Sequence, residues 1–414
     1  LYASSNLTIT EESTQGHYTI SKPDETQTYA DVLANINKRF NDFSLVANVG
    51  ASIVNNRYED LSYRGPIREK GIPNVFNVFD LDNTKKKARQ DEWQEQTQSV
   101  FASVEVGWKS MLYLTLTGRN DWASQLANSS TPCFFYPSVG LSGVISEMLT
   151  LPEFIDYMKV RGSFSSVGMP YPRNLTSPTY EYDEANQQWK PKTHYPIKDL
   201  KPERTNSWEL GLDMRLFKDF SLGFSWYLAN TFNQTFDPKV SVSSGYSKIY
   251  LQTGYVRNSG VELSLGYGHT WNNHLHWESN FTLSHNKNTI KDLVTSYIHP
   301  ETGLPITQNR LDVGGLGKAR FILKKGGTLG DLYTQSDLKR DNSGMVEIDP
   351  SGALTTEDNL PDIKLGSVFP KANLAWNNRF EWRGISLSAL FTARIGGIAY
   401  SATQAAMDQY GVSE

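Results

Sequence analysis

The chain has 414 residues, 12% of them aromatic, a net charge of −4 and one cysteine, Cys133. The aromatic content excludes a disordered chain, and a pI near 6.0 excludes a general nucleic-acid binder. A single cysteine excludes an internal disulfide or a cysteine-rich zinc module. No stretch reaches the ~18–20 apolar residues of a membrane helix, which leaves a soluble all-β protein or a transmembrane β-barrel. The start at Leu1-Tyr2-Ala3 carries no signal peptide and reads as the interior of an extended segment.

In chain order, period-two alternation predicts about twelve strands. They fall at 28–40, 43–56, 97–107, 111–122, 134–145, 157–167, 204–217, 220–236, 255–270, 275–291, 370–382 and 385–400, with one more before residue 20. In 43–53, Phe43, Leu45, Ala47, Val49, Ala51 and Ile53 alternate with Ser44, Asn48, Gly50 and Ser52. Trp208, Leu210, Leu212 and Met214 share one face, and Glu209, Gly211, Asp213 and Arg215 the other. Several of these runs exceed the typical ~5–6 residues of a globular strand.

The connections are asymmetric. Asn41-Asp42, Lys218-Asp219, Asn272-Asn273 and Arg383-Gly384 predict tight turns, and 146–156 a slightly longer link at the same end. The links 59–96, 168–203, 237–254 and 292–369 are long and fall at the other end. Outer-membrane barrels have this asymmetry. Phe40, Phe43, Phe217, Phe220, Trp271, Trp277 and Trp382 flank the tight turns, as a membrane-interface girdle requires. The polar face, with Glu105, Glu209, Asp213, Arg215, Glu262, Glu278 and Arg379, suits a wet lumen or the solvated face of a soluble sheet.

Motifs for chemistry are weak. His274, His276 and Glu278 share a strand face and could meet a metal, but their place beside Asn272-Asn273 reads better as a solvated turn-end cluster. Gly314-Gly315-Leu316-Gly317-Lys318 resembles a phosphate loop, yet Asp312 stands at its first glycine and Ala319 at its Ser/Thr, so a flexible loop is expected. Asp341-Asn342-Ser343-Gly344 fits part of a calcium pattern with Lys339 at the first ligand, and a type I turn is expected. Neither a nucleophile elbow nor an H-E-x-x-H helix occurs. The expectation is therefore no enzyme, no catalytic residue, no metal and no cofactor. Binding is expected in the long loops, by Tyr180, Tyr182, Gln187, Gln188, Trp189 and Tyr195, joined by Tyr246 and Tyr250. Rings among amides and carboxylates suit sugars or peptide side chains; the alternative is that they only pack the loop.

From about residue 97 onward, five segments in order carry a resemblance. They are Leu116-Thr117-Gly118-Arg119-Asn120-Asp121-Trp122; Phe135-Tyr136-Pro137-Ser138-Val139-Gly140-Leu141-Ser142 with Val144-Ile145-Ser146-Glu147; Leu200 to Gly211; Val256-Arg257-Asn258-Ser259-Gly260-Val261-Glu262; and Phe321 to Tyr333 with Gly326-Gly327 and Gly330-Asp331-Leu332-Tyr333. Together they resemble the SusC/RagA-like family of TonB-dependent outer-membrane transporters.

The resemblance implies an antiparallel transmembrane β-barrel of roughly 22 strands filled by an N-terminal plug. It implies a SusD-like surface lipoprotein as lid, TonB pulling on the plug, and import of oligosaccharides or peptides across the Gram-negative outer membrane. Contact with outer-membrane lipid follows, and no nucleic acid. Residues 1–414 are expected to be a partial barrel, with the plug and closing strands outside this sequence. About twelve strands of roughly 22 would not close, and an open edge leaves backbone groups unpaired in lipid. Two alternatives stay open, a soluble or surface-attached β-sandwich that binds or cleaves glycans, and a passive porin.

Overall fold

The computed structural model describes residues 2–3, 16–69, 76–173, 175, 180–183, 188–191, 194–195, 201–236, 248–249, 251–271, 274–298, 305–352, 354–409 and 412. Twelve long strands build one antiparallel sheet. They are β1 His17–Phe40, β2 Phe43–Pro66, β3 Lys87–Trp108, β4 Leu112–Ala123, β5 Cys133–Val144, β6 Ile155–Met169, β7 Glu203–Leu216, β8 Phe220–Phe236, β9 Leu251–Trp271, β10 Leu275–Asp292, β11 Ala372–Trp382 and β12 Ile385–Ile395. Each pairs with the next in sequence, and the two-residue strand Tyr2–Ala3 adds to β1 as the thirteenth.

The register carries the alternation across the sheet. One rung runs Leu45, Val106, Leu114, Leu141, Gly162, Leu210, Trp226 and Val261, all on the apolar face. The neighbouring rung carries Glu105, Thr115, Gly140, Ser163 and Glu209 on the polar face. A one-residue slip would exchange the two faces, so the pattern fixes the pairing. In β2 the apolar positions run from Phe43 to Ile53. At about 3.3 Å per residue and a tilt near 40° that is a band of about 25 Å, the height of a barrel's lipid-facing surface.

Many side chains of that apolar face are open to solvent. Val32 is 77% exposed and Leu387 68%. A sandwich would bury these side chains against a second sheet, and no sheet among the described residues covers them.

The buried clusters sit at the long-loop end instead. Ala123, Leu126, Phe134, Tyr171 and Leu175 form one, Tyr18, Ile67 and Leu81 another. The third joins Val256, Ile290 and Leu293 to Leu311 and Leu323.

The structure departs from the sequence expectations in several places, the first being that the strand expected before residue 20 and that expected at 28–40 are one strand, His17–Phe40. The link expected at 59–96 is partly strand, since β2 and β3 stay paired up to Arg64 and Lys87. Both faces there are polar, so pairing continues where hydrophobic alternation has stopped. The last strand ends at Ile395 and not at 400, because Gly396 and Gly397 turn the chain with φ of +74° and +83°. The long link after β10 holds a second sheet of four antiparallel strands, Arg310–Leu316, Ala319–Lys324, Asp331–Leu338 and Thr356–Ser367.

Candidate functional site

The polar face forms a charged wall. Arg161 of β6 donates to Glu209 of β7 and to Ser225 Oγ of β8 at 2.7 Å, and lies 3.9 Å from Asp213. Gly211 makes this possible, since a Cβ there would fall on the Arg161 guanidinium. Arg119 binds Asp121 and Ser99, both at 2.7 Å. Half-exposed pairs of this kind add little stability, but they fix where charge stands on the wall. A hollow of about 600 Å³ opens in β7 to β12, lined by Asp213, Ser225, Glu262, Ser284, Asn373 and Arg394 together with Phe224, Leu263, Leu283 and Leu374. It offers hydrogen bonds and charge to a hydrated solute.

At the loop end, the second sheet is clasped onto the rim of β9 and β10. Asn288 donates to Asn258 at 2.9 Å and accepts the Leu329 amide at 2.9 Å. The backbone of Ile290 exchanges bonds with Gly326 and Gly327, each 2.8 Å. The two sequence segments around Val256–Glu262 and Phe321–Tyr333 are therefore the two halves of one junction.

Asp331 is its buried pivot, at 0% exposure. It accepts from the Thr328 hydroxyl at 2.6 Å, the Thr328 amide at 3.1 Å and Lys364 Nζ at 2.6 Å. Gly326 takes φ +83°, and a Cβ on Gly327 would meet the Asp331 carboxylate at 2.8 Å. Across the sheet, Asp362 is gripped by Arg310 at 2.7 and 2.9 Å and by Lys324 at 2.9 Å.

These contacts set a pH dependence. The Arg310 hydrogen bonds hold the Asp362 carboxyl well below the usual range against its burial, with Lys324 adding to them. Burial pushes Asp331 up, but Lys364 and Thr328 more than offset it and its pKa is lowered. A carboxyl whose folded pKa lies below the unfolded value of about 3.9 stabilises the fold fully above that value and loses the contribution as pH falls. Amide exchange, corrected for intrinsic rates, should show residues 319–324 losing protection below about pH 4, before the long strands do. Unchanged protection down to about pH 2 would contradict this.

The residues expected to bind ligand stand as follows. Tyr180 and Tyr182 lie on a hairpin strand, Tyr180–Asp183, paired with Gln188–Pro191; Tyr182 is opposite Trp189, and Gln188 is opposite Asp183. Tyr195, in His194–Tyr195, pairs in parallel with Lys248–Ile249, which brings the two long loops side by side. Gln187, Tyr246 and Tyr250 lie outside the described residues.

Gly314 to Lys318 is no flexible loop but part of the Arg310–Leu316 and Ala319–Lys324 hairpin. The Asp341 carbonyl accepts the Gly344 amide at 2.9 Å, the expected turn. His276 bonds Thr270 at 2.9 Å, and Glu278 accepts from Asn280 at 2.8 Å. Sequence reasoning missed Asp331, Asp362 and Arg310; the available signal was the glycine spacing of Gly326-Gly327 and Gly330.

Residues 2–343 match a family described as TonB dependent receptor-like, beta-barrel. The chain is 23% identical over 339 residues to TonB-dependent receptor P39 of Formosa agariphila, a match covering 78% of this chain and 30% of that protein. TonB-dependent receptor P26 of the same organism is 23% identical over 350 residues, covering 78% and 34%. The chain thus spans about a third of the length of these relatives. Among solved structures, the RagAB peptide transporter superposes with a TM-score of 0.70 at 17% identity, over 91% of this chain and 42% of that one. Its importer form in the closed-closed state gives 0.65 at 18%, over 92% and 42%. The chain belongs to the TonB dependent receptor-like, beta-barrel family.

Proposed function

We propose that this chain is part of the barrel wall of a SusC-like, TonB-dependent importer of nutrient oligomers, working with a SusD-like surface lipoprotein. One observation carries the reading: twelve strands keep an apolar face on one side and a charged face on the other, while the long connections fall at a single end. The remaining strands and the plug that TonB pulls come from residues outside this sequence, in keeping with the third of its relatives' length that it spans. Oligosaccharides are the first cargo class. Peptides are the second, favoured by the likeness to a peptide transporter.

The paired strands bearing Tyr182 and Trp189 are the proposed ligand contact. In the full-length transporter, Tyr182→Ala and Trp189→Ala should each weaken ligand binding about tenfold, the ~1.5 kcal/mol of a stacked ring. Unchanged affinity in both would remove them from the site. Uptake of labelled oligosaccharides and peptides by cells should stop when a protonophore collapses the proton gradient. Uptake at full rate without the gradient would make the protein a passive pore.

A further inference from the structure

The tight-turn end carries a pattern that solute passage does not use. Three strand ends place an aromatic residue directly before a cation: Trp108-Lys109, Phe217-Lys218 and Trp382-Arg383. Each cation sits in the left-handed region, with φ of +51° at Lys109, +63° at Lys218 and +46° at Arg383. Hairpin turns of this geometry favour Gly, Asn or Asp, so turn chemistry does not explain long basic side chains there.

The main chain of each cation is pinned to the adjoining turn. Lys109 N–H donates to the Asp42 carbonyl at 2.7 Å, Lys218 N–H to the Asp156 carboxylate at 2.5 Å, and Arg383 N–H to the His274 carbonyl at 3.3 Å. All three side chains are exposed, and those of Lys109 and Arg383 lean on girdle rings. Lys109 Nζ is 5.4 Å from the Trp108 ring centre and the Arg383 guanidinium 5.6 Å from that of Trp382. Lys38, on the apolar face of β1, lies 5.2 Å over Phe40.

Register draws Lys38 and Lys109 together, while Lys218 and Arg383 stand farther along the same sheet end, at the β7–β8 and β11–β12 turns. Phe40, Phe43 and Trp108 are consecutive partners on one rung, flanked by Lys38 and Lys109. At about 4.8 Å between strands, that rung of three rings is about 10 Å wide. Of the acids at this end, Asp42 pairs with Lys109 at 3.6 Å, Asp156 holds the Lys218 amide and Asp219 bonds His269 at 2.7 Å, while Glu147 and Glu153 of the 146–156 link are exposed to solvent. Among the described residues no carboxylate forms an ion pair with Lys38, Lys218 or Arg383.

We propose that this end of the wall is a binding belt for anionic phospholipid headgroups of the adjoining leaflet, formed by Lys38, Lys109, Lys218 and Arg383 above the ring of aromatic residues. The rings sit where acyl chains give way to headgroups, and the basic side chains extend from there to phosphate. A cation over an aromatic face keeps its charge available to a phosphodiester. A zwitterionic headgroup brings its own ammonium to compete for that phosphate, whereas a phosphatidylglycerol-type headgroup does not, so the belt selects net negative charge.

The test places the full-length protein in nanodiscs of phosphatidylcholine doped with phosphatidylglycerol and counts retained lipids by native mass spectrometry. Wild type should retain phosphatidylglycerol above its bulk share. The combined variant Lys38→Gln, Lys109→Asn, Lys218→Asn and Arg383→Asn should retain about fivefold less. Asn suits the left-handed turns, so the variant folds, and gel mobility before and after heating verifies the barrel. Changing the three lysines to arginine should preserve the enrichment. Equal retention by wild type and the Asn/Gln variant, or no enrichment in wild type, overturns the proposal. These readouts are independent of cargo and of TonB. A full-length protein that does not enter nanodiscs would overturn the membrane reading and the belt with it.

Discussion

Replacing Asp331 by Ala should unfold the second sheet while the membrane wall stays paired. Asp331 is fully buried and satisfies Lys364, the Thr328 hydroxyl and the Thr328 amide at once. Truncation leaves those donors without their acceptor and opens a void against Gly327. The expected loss is about 2 kcal/mol of local stability, the cost of Thr328 donors left without their acceptor, since the Lys364 ammonium is half exposed and returns to water. Hydrogen exchange should show the amides of Ala319–Lys324 and Asp331–Leu338 losing protection, with β4 to β7 unchanged. The contrast is Asp358→Ala, whose partner Lys318 is exposed along with it, and which should change nothing measurable. Equal behaviour of the two variants would mean that the clasp does not depend on its buried carboxylate.

Gly260→Ala should weaken the wall itself. A Cβ at this position would press on the His285 carbonyl of β10 and stand 2.5 Å from the Tyr227 hydroxyl of β8. The tyrosine can swing away, but a strand backbone cannot shift alone, so β9 must part from β10. Overpacking of this kind costs about 1–3 kcal/mol, and the backbone contact puts the expectation at the upper end. The heat-modifiable band of the folded barrel should convert at a lower temperature. Adding Tyr227→Ala should not restore it, because the His285 contact remains. Full recovery in the double variant would place the crowding in the side chain and not in the sheet.

Both positions fall within segments that stand out in the sequence, but for different reasons. Gly260 lies in Val256–Glu262, where alternation already indicates a strand; which atoms crowd it depends on β8 and β10 standing on either side. Asp331 lies in a stretch whose glycines are visible but whose purpose is not. Its partner Lys364 is 33 residues away, and the rim residue Asn288 that anchors the clasp is 41 residues from Leu329. The second sheet also lacks a long apolar period: Asp312, Gly314 and Gly315 interrupt one strand, and Pro361 and Asp362 another. Its stability comes from ion pairs and from a small shared core, neither of which leaves a periodic trace.

The layout of the wall is legible in the chain alone. Period-two alternation survives in a one-dimensional reading because each strand pairs with its neighbour in order, so Leu45, Val106 and Leu114 reach one face by local rules alone. The same reading placed the tight turns at Asn41-Asp42, Lys218-Asp219 and Arg383-Gly384, while Asn272-Asn273 lie outside the described residues. Only the tertiary structure decided what stands on the wall and above it: Arg161 reaching over Gly211 to Glu209, the junction of Asn258, Asn288 and Leu329, and the buried Asp331. Those contacts join residues from separate strands and distant loops, and their energies depend on burial and on donor geometry, which exist only once the sheet has formed.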